Sequence, residues 1–210
     1  MLIDELAARV DDLRDSLRPR VLIGIAGPPG AGKSTLAQAL VARLEAGGVP
    51  TAHVPMDGFH LADAALDRLG LRDRKGAPET FDAAGYAALL ARITGGDAVW
   101  APAFERTLEQ PIAQSIEVGE DIEVVVSEGN YLLLPEPPWP HARELFDEVW
   151  FCALHHEVRR ERLLKRHIEF GKTPGEARAW VERVDEPNAV LVDASAYLAD
   201  LDLDLAELGL

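Results

Sequence analysis

Apolar residues recur along the chain in two patterns, short continuous runs and helical spacings, and the two alternate. Leu2, Leu6, Val10, Leu13 and Leu17 stand among charges, which predicts an amphipathic helix over 2–17 ended by Pro19. Residues 21–26 (VLIGIA) form a nearly continuous apolar run, the pattern of a strand buried on both faces. A Gly/Pro-rich loop follows, then a helix over 34–45 closed by Gly47 and Gly48. Further strands are predicted at 52–56, 122–126 and 148–154, and helices at 83–93, 157–170 and 174–184. The run 189–192 predicts a final parallel strand. Leu201, Leu203 and Leu205 alternate with Asp200, Asp202 and Asp204, which predicts a half-exposed edge strand. Strands alternating with helices predict an α/β fold, a parallel sheet with helices on both faces.

Composition narrows this picture. The 210 residues are 48% hydrophobic and 27% charged, a globular balance that suggests a single domain over 1–210. No run approaches the roughly 18 apolar residues of a membrane span, and Asp4 and Glu5 stand where a basic leader would be expected. The single cysteine, Cys152, excludes an internal disulfide and fits a reducing compartment, the cytoplasm. With 36 acids against 21 Lys and Arg, the formal charge is −15, which argues against nucleic acid as a partner.

The charge is uneven. Residues 185–210 hold seven acids and no Lys or Arg, whereas 159–172 holds six bases against two acids. Lys33, Lys75, Lys165 and Lys172 are the only lysines. So acidic a protein must bind an anion with a few placed groups.

The segment Gly27-Pro28-Pro29-Gly30-Ala31-Gly32-Lys33-Ser34 is a full GxxxxGK[ST] phosphate loop between a strand and a helix. Its backbone N–H groups and the helix N-terminus are suited to cradle phosphates. Lys33 is expected to reach the β/γ-phosphates of ATP, and the Ser34 hydroxyl to hold Mg²⁺. Guanine-reading Asn-Lys-x-Asp and transporter-type Leu-Ser-Gly-Gly segments are absent, which leaves a small kinase.

Asp57 follows the second predicted strand, where a carboxylate faces the ligand crevice and can accept a hydroxyl proton. A turn residue before Gly58 would look the same. His60 reads equally as an acceptor contact or a structural histidine. Glu128 ends a buried strand and is expected near the Mg²⁺. At 100° per residue Arg159, Arg162 and Arg166 fall within about 60° of one another on a helix. They are expected to clamp the transferring phosphoryl group from a lid over about 157–186, with Val158, Leu164 and Ile168 packing on the body. Arg106, in a loop-rich section, reads equally as a contact for an anionic or polyhydroxyl acceptor or as an exposed residue.

Taken together, GPPGAGKST, VPMDGFHL, ETFD, PAFER, VVVSEGNYLLL and RRERLLKRH resemble the phosphoribulokinase/uridine kinase/pantothenate kinase family. The likeness is greatest to its bacterial nucleoside/nucleotide kinase-like (fructose transport system kinase) branch. The resemblance implies a P-loop NTPase fold with a helical lid and ATP and Mg²⁺ as cofactors. Within it, Asp57 is the general base, Glu128 lies near the metal, and Arg162 and Arg166 are lid arginines. Thr35 completes the nucleotide loop, Asn188 lies near the adenine, and the segment with Asp82 lines the acceptor side, as does Tyr131 of the EGNYLL string.

The sequence departs from this family too. The uridine-binding Tyr-Asp…His-x-Arg segment is replaced by Phe104-Glu105-Arg106, and the chain is short for a pantothenate kinase. The expectation is ATP-dependent phosphorylation of a small uncharged or weakly charged alcohol, a sugar such as fructose. A nucleoside or pantothenate-type kinase and an ATP-binding sensor of a sugar-import system remain open beside it. The expected partners are the small-molecule acceptor and a second copy of the chain in a homodimer.

Overall fold

A computed structural model describes residues 3–14 and 20–205. The N-terminal helix α1 is Ile3–Arg14; the expected end at Pro19 lies outside the described residues. Strand β1 (Val21–Ala26) leads through the glycine loop into α2 (Lys33–Ala46), then β2 (Thr51–His53), α3 (Asp63–Leu69) and α4 (Ala83–Thr94). Strands β3 (Val99–Glu105) and β4 (Gln110–Val118) follow, then β5 (Val124–Gly129), the short α5 (Trp139–Arg143) and β6 (Glu148–Ala153). The chain closes with α6 (His156–Glu169), α7 (Pro174–Trp180), a π-turn at Val181–Asp185, α8 (Glu186–Asp193) and β7 (Leu201–Asp204).

Five strands form one sheet in the order β2-β5-β1-β6-β7, and every neighbouring pair is parallel. All six residues of β1 and of β5 are buried, as a sheet covered on both faces requires. Alternate residues feed two cores. Leu22 and Val125 pack with Tyr86, Leu90 and Trp139, whereas Ile23, Ile25, Val124 and Val126 pack with Leu6, Val10, Leu36 and Leu40. Helices α1 and α2 thus cover one face and α4 and α5 the other.

Three expectations need correction. Residues 189–192 lie in α8, not in a strand, because four apolar residues do not distinguish a strand from the buried side of a helix. The antiparallel hairpin β3–β4 was not expected; its register shifts between Ala101 and Ala103, so no clean alternation marks it. Helix α6 is turned the other way: Val158 and Ile168 are 42% and 44% exposed, while Arg159 and Leu163 are buried. The side carrying Arg159 and Leu163 packs on the body, Val158 and Ile168 point to solvent, and Leu164 is half-buried.

Candidate active site

The carboxyl ends of β1, β2 and β5 meet at the glycine loop, where parallel α/β sheets gather their ligand sites. A cavity of about 550 Å³ opens there, a volume suited to a small-molecule site.

The loop is fixed from behind and from above. Gly30 has φ of +81°, and a Cβ there would stand 2.8 Å from Leu163 of α6. The missing side chain therefore lets α6 sit directly on the loop. Arg159 of α6 is 2% exposed; its Nη1 donates to the Pro29 carbonyl (3.2 Å) and its Nη2 to Glu186 Oε1 (2.6 Å). Arg159 is thus a structural brace tying loop, α6 and α8 together, not the phosphate clamp expected of it. Arg162 is exposed and lies over the loop, its Nη1 3.3 Å from the place a Cβ of Gly32 would take. Pro29, Gly30, Lys33 and Ser34 line the cavity, whereas Gly27, Pro28, Ala31 and Gly32 of the loop and Thr35 in the first turn of α2 do not.

Lys33 is 7% exposed, and its Nζ donates to the Pro28 carbonyl (3.0 Å) and to Asn130 Oδ1 (2.7 Å). Burial pushes this ammonium below its ordinary pKa, against the pull of Glu128 and Asp57. The Ser34 hydroxyl donates to Glu128 Oε1 at 2.9 Å. Glu128 is 5% exposed; burial, and then the Asp57 charge, push its pKa up, with Lys33 and the Ser34 hydrogen bond opposing. Ser34 and Glu128 together offer a hydroxyl and a carboxylate, the hard oxygen donors Mg²⁺ takes beside water and phosphate oxygens. Among the described residues no trio of His, Cys, Asp and Glu forms an all-protein metal cage. The donors present therefore fit a metal shared with a bound phosphate.

Asp57 sits in the short 3₁₀ turn Met56–Phe59 after β2. Its neighbour Gly58 has a packing reason: a Cβ there would stand 2.2 Å from the Pro102 carbonyl. Strand β3 can therefore press on the turn and bring Arg106, just past its end, to Asp57, with Nη2 3.3 Å from Oδ2. Burial alone would raise the Asp57 pKa, but His60, Arg106, Lys33 and Arg166 outweigh it and hold the carboxyl below its ordinary range. Such a carboxylate is ionised at neutral pH and can accept a proton.

Arg166 lines the cavity, and its side chain makes no hydrogen bond or ion pair with a described residue. Burial, and then Arg106, lower its pKa, with Asp185 and Asp57 opposing. His60 donates from Nδ1 to the Asp57 carbonyl (2.8 Å) and stacks between Phe81 and Phe104, with ring centroids 4.0 and 4.7 Å away. Burial pushes its pKa down against the pull of the Asp57 charge, and the ring forms an aromatic wall beside the carboxylate. Cys152 lies behind the loop, its thiol pushed by burial up to about 12, which makes it inert filler.

Lys33, Ser34, Asp57, His60, Arg106, Glu128, Arg166 and Asn188 all line the cavity. Asp82 does not: its Oδ1 accepts from Gly85 N (2.8 Å) as the N-cap of α4. Tyr131 is fully buried, and its hydroxyl donates to the Gly76 carbonyl. The same carbonyl accepts from Asn188 Nδ2 at 3.2 Å. Sequence reasoning missed Asn130, Arg72, Lys75, Trp180 and the His167–Asp185 pair (Nε2 to Oδ2, 2.7 Å). Asn130 stands two residues after Glu128 and was within reach of the motif. Nothing local marks Lys75 apart from the scarcity of lysine.

The model of the phosphoribulokinase/uridine kinase family matches residues 22–169. The chain belongs to that family. It is an ATP-dependent small-molecule kinase with a P-loop fold. C227.14 of Schizosaccharomyces pombe, named as a proposed uridine kinase, is 36% identical over 95% of this chain and 89% of its own length. YggC of Escherichia coli is 34% identical over 90% of this chain and 80% of its own. The crystal structure of a proposed fructose transport system kinase from Silicibacter sp. superposes with a TM-score of 0.88 at 35% identity, covering 97% and 99% of the two chains. No helix among the described residues is long and apolar enough to cross a membrane.

Proposed function

We propose that this chain transfers the γ-phosphoryl group of ATP to a hydroxyl of a small polyhydroxylated acceptor, a sugar or a related alcohol. The observation that carries the reading is the position of Asp57: an ionised carboxylate in one cavity with Lys33 of the glycine loop, Arg106 and Arg166. In this reading Asp57 accepts the proton of the attacking hydroxyl, and the phosphoryl group passes along the cavity towards that oxygen. Lys33 exchanges the Pro28 carbonyl and Asn130 for phosphate oxygens. Arg166, whose side chain makes no hydrogen bond or ion pair with a described residue, offsets charge on the transferred group, and Arg162 lies close enough to the loop to join it. Ser34 and Glu128 hold Mg²⁺, which neutralises phosphate charge when bound. Helices α6 to α8, residues 157–186 in the main, act as the lid, and 1–210 as one kinase domain.

A sugar acceptor is supported by the aromatic wall of His60, Phe81 and Phe104 beside Asp57, a surface suited to the C–H face of a ring, and by the name carried by the Silicibacter protein. The experiment is an ADP-release screen over sugars, nucleosides and pantothenate with Asp57→Asn alongside. Acceptor-dependent release that falls by about 10²–10⁴ in Asp57→Asn, with ATP affinity kept, is the expected result. Only acceptor-independent background, equal in the two proteins, would overturn it in favour of an ATP-binding sensor.

A further inference from the structure

The acceptor end of the cavity holds cations that a triphosphate does not need. Lys33 and Arg166 come from the glycine loop and α6, on the nucleotide side. Arg106 comes from the turn after β3, and Arg72 and Lys75 from the segment between α3 and α4; all three line the same cavity. The chain has four lysines among 210 residues, and one of them is placed here with its side chain only 10% exposed.

The donors on this wall are not used up. The Lys75 ammonium gives one N–H to Asp63 Oδ1 (2.7 Å) and one to the Glu109 carbonyl, which leaves a third. Asp63 is shared, its Oδ2 lying 2.7 Å from Arg72 Nη2. Asp63 thus serves both cations, and Arg72 has a second acid in Asp67, with Nη1 3.5 Å from Oδ2. Arg106 spends one 3.3 Å contact on Asp57, and most of its five N–H donors remain. Asp73 and Glu109 also border the cavity, but both are exposed, and neither carboxylate pairs with Lys75, Arg72 or Arg106. The aromatic wall closes the same region, with Lys75 Nζ 5.4 Å from the Phe104 centroid. An acceptor with its hydroxyl at Asp57 and its carbon face on Phe104 would present its other end to Lys75 and Arg106.

We infer that the acceptor carries an anionic group, a carboxylate or a phosphate, bound by Lys75 and Arg106. The acceptor is then a sugar acid, hydroxy acid or sugar phosphate, not an uncharged sugar. The inference rests on the kinase reading of the site and sharpens its substrate class.

The test measures ADP release and calorimetric binding for pairs that share a carbon skeleton and differ in charge: glucose with gluconate, glycerol with glycerate, fructose with fructose 6-phosphate. Each is run with the wild type, Lys75→Met and Lys75→Arg, and melting curves show that the variants fold. The anionic member of a pair is expected to exceed its neutral partner at least about tenfold in kcat/KM or affinity, the order of a charged hydrogen bond. Lys75→Met should erase that advantage, Lys75→Arg should keep part of it, and the KM for ATP should stay within about twofold. A leading carboxylate pair identifies an acid, and a leading phosphate pair a sugar phosphate. Neutral members that match their anionic partners, or an anion preference untouched in Lys75→Met, overturn the inference and leave the kinase reading standing. Anions that bind through Lys75 with no ADP release keep the subsite and overturn the transfer reading. Neither binding nor turnover of any anion overturns the subsite.

Discussion

The side-chain amide of Asn188, on α8, donates to the Gly76 carbonyl across 3.2 Å, and the Tyr131 hydroxyl donates to the same oxygen. The Gly76 N–H in turn donates to Thr80 Oγ1 at 3.0 Å. Family resemblance would set Asn188 beside the adenine and Tyr131 on the acceptor. Both hold the backbone next to Lys75, so they link α8 and the end of β5 to the acceptor wall. Asn188→Ala should raise the KM for the acceptor roughly 2–10-fold, as one neutral hydrogen bond allows, with a smaller effect on ATP. Hydrogen exchange across residues 70–80 should accelerate in the same variant. An unaltered exchange rate there, with a raised KM for ATP, would return Asn188 to the nucleotide.

Two arginines on one face of α6 should respond in opposite ways. Arg159 is buried against Pro29 and Glu186, so Arg159→Ala strips a buried partner from Glu186. The cost is about 3 kcal/mol, a fall in Tm of roughly 6–12 °C for a domain of this size. The Arg166 side chain makes no hydrogen bond or ion pair with a described residue, and burial already disfavours its charge. Arg166→Met should leave Tm unchanged or raise it while lowering kcat about 10²–10³-fold. Melting curves and initial rates on the two variants separate brace from clamp; equal losses of Tm would merge them.

How much of this was readable beforehand follows from how local each feature is. The glycine loop, β1 and α2 are set by contiguous residues, and so are the positions of Asp57 and Glu128 after their strands. The orientation of α6 was not readable, because hydrophobic periodicity assumes that the apolar stripe faces inward. Here the inward face is chosen by Arg159 reaching Pro29 and by Leu163 seated on Gly30. The hairpin escaped for a related reason. Pro102 and Pro111 interrupt its strands, Gln114 has φ of +55°, and Trp100 is 56% exposed, so the period-2 signal of a strand is lost. Arg106, carried by that hairpin, could be noticed but not placed.

Gly58 controls that placement. A Cβ at this position would stand 2.2 Å from the Pro102 carbonyl, with Ala103 N 3.2 Å away, and backbone on both sides cannot yield cheaply. Gly58→Ala should push the hairpin off the Asp57 turn, at about 1–3 kcal/mol. Arg106 would then no longer sit 3.3 Å from Asp57. Arg106→Gln made in the Gly58→Ala background should therefore cost less activity than in the wild type, a coupling a double-mutant cycle measures directly. Full additivity would mean that the hairpin moves without carrying Arg106 away.

Glu128 should trade stability for activity. Its folded pKa lies above the ordinary glutamate value of 4.5, through burial and the nearby Asp57 charge. A raised carboxylate pKa means that the folded state binds the proton more tightly than the unfolded chain, so stability falls as pH rises through the window between the two values. The full cost is present above the folded pKa and absent below about 4.5. Glu128→Gln removes the charge and keeps an oxygen for the Ser34 hydroxyl. At pH 7, without nucleotide or Mg²⁺, the variant should therefore melt above the wild type. The difference should shrink as pH falls to about 4.5, while turnover is lost at every pH for want of the metal-side carboxylate. A variant less stable than the wild type at pH 7 would show that Glu128 is held by its hydrogen bond with Ser34 and by Lys33 more strongly than burial and Asp57 disfavour its charge.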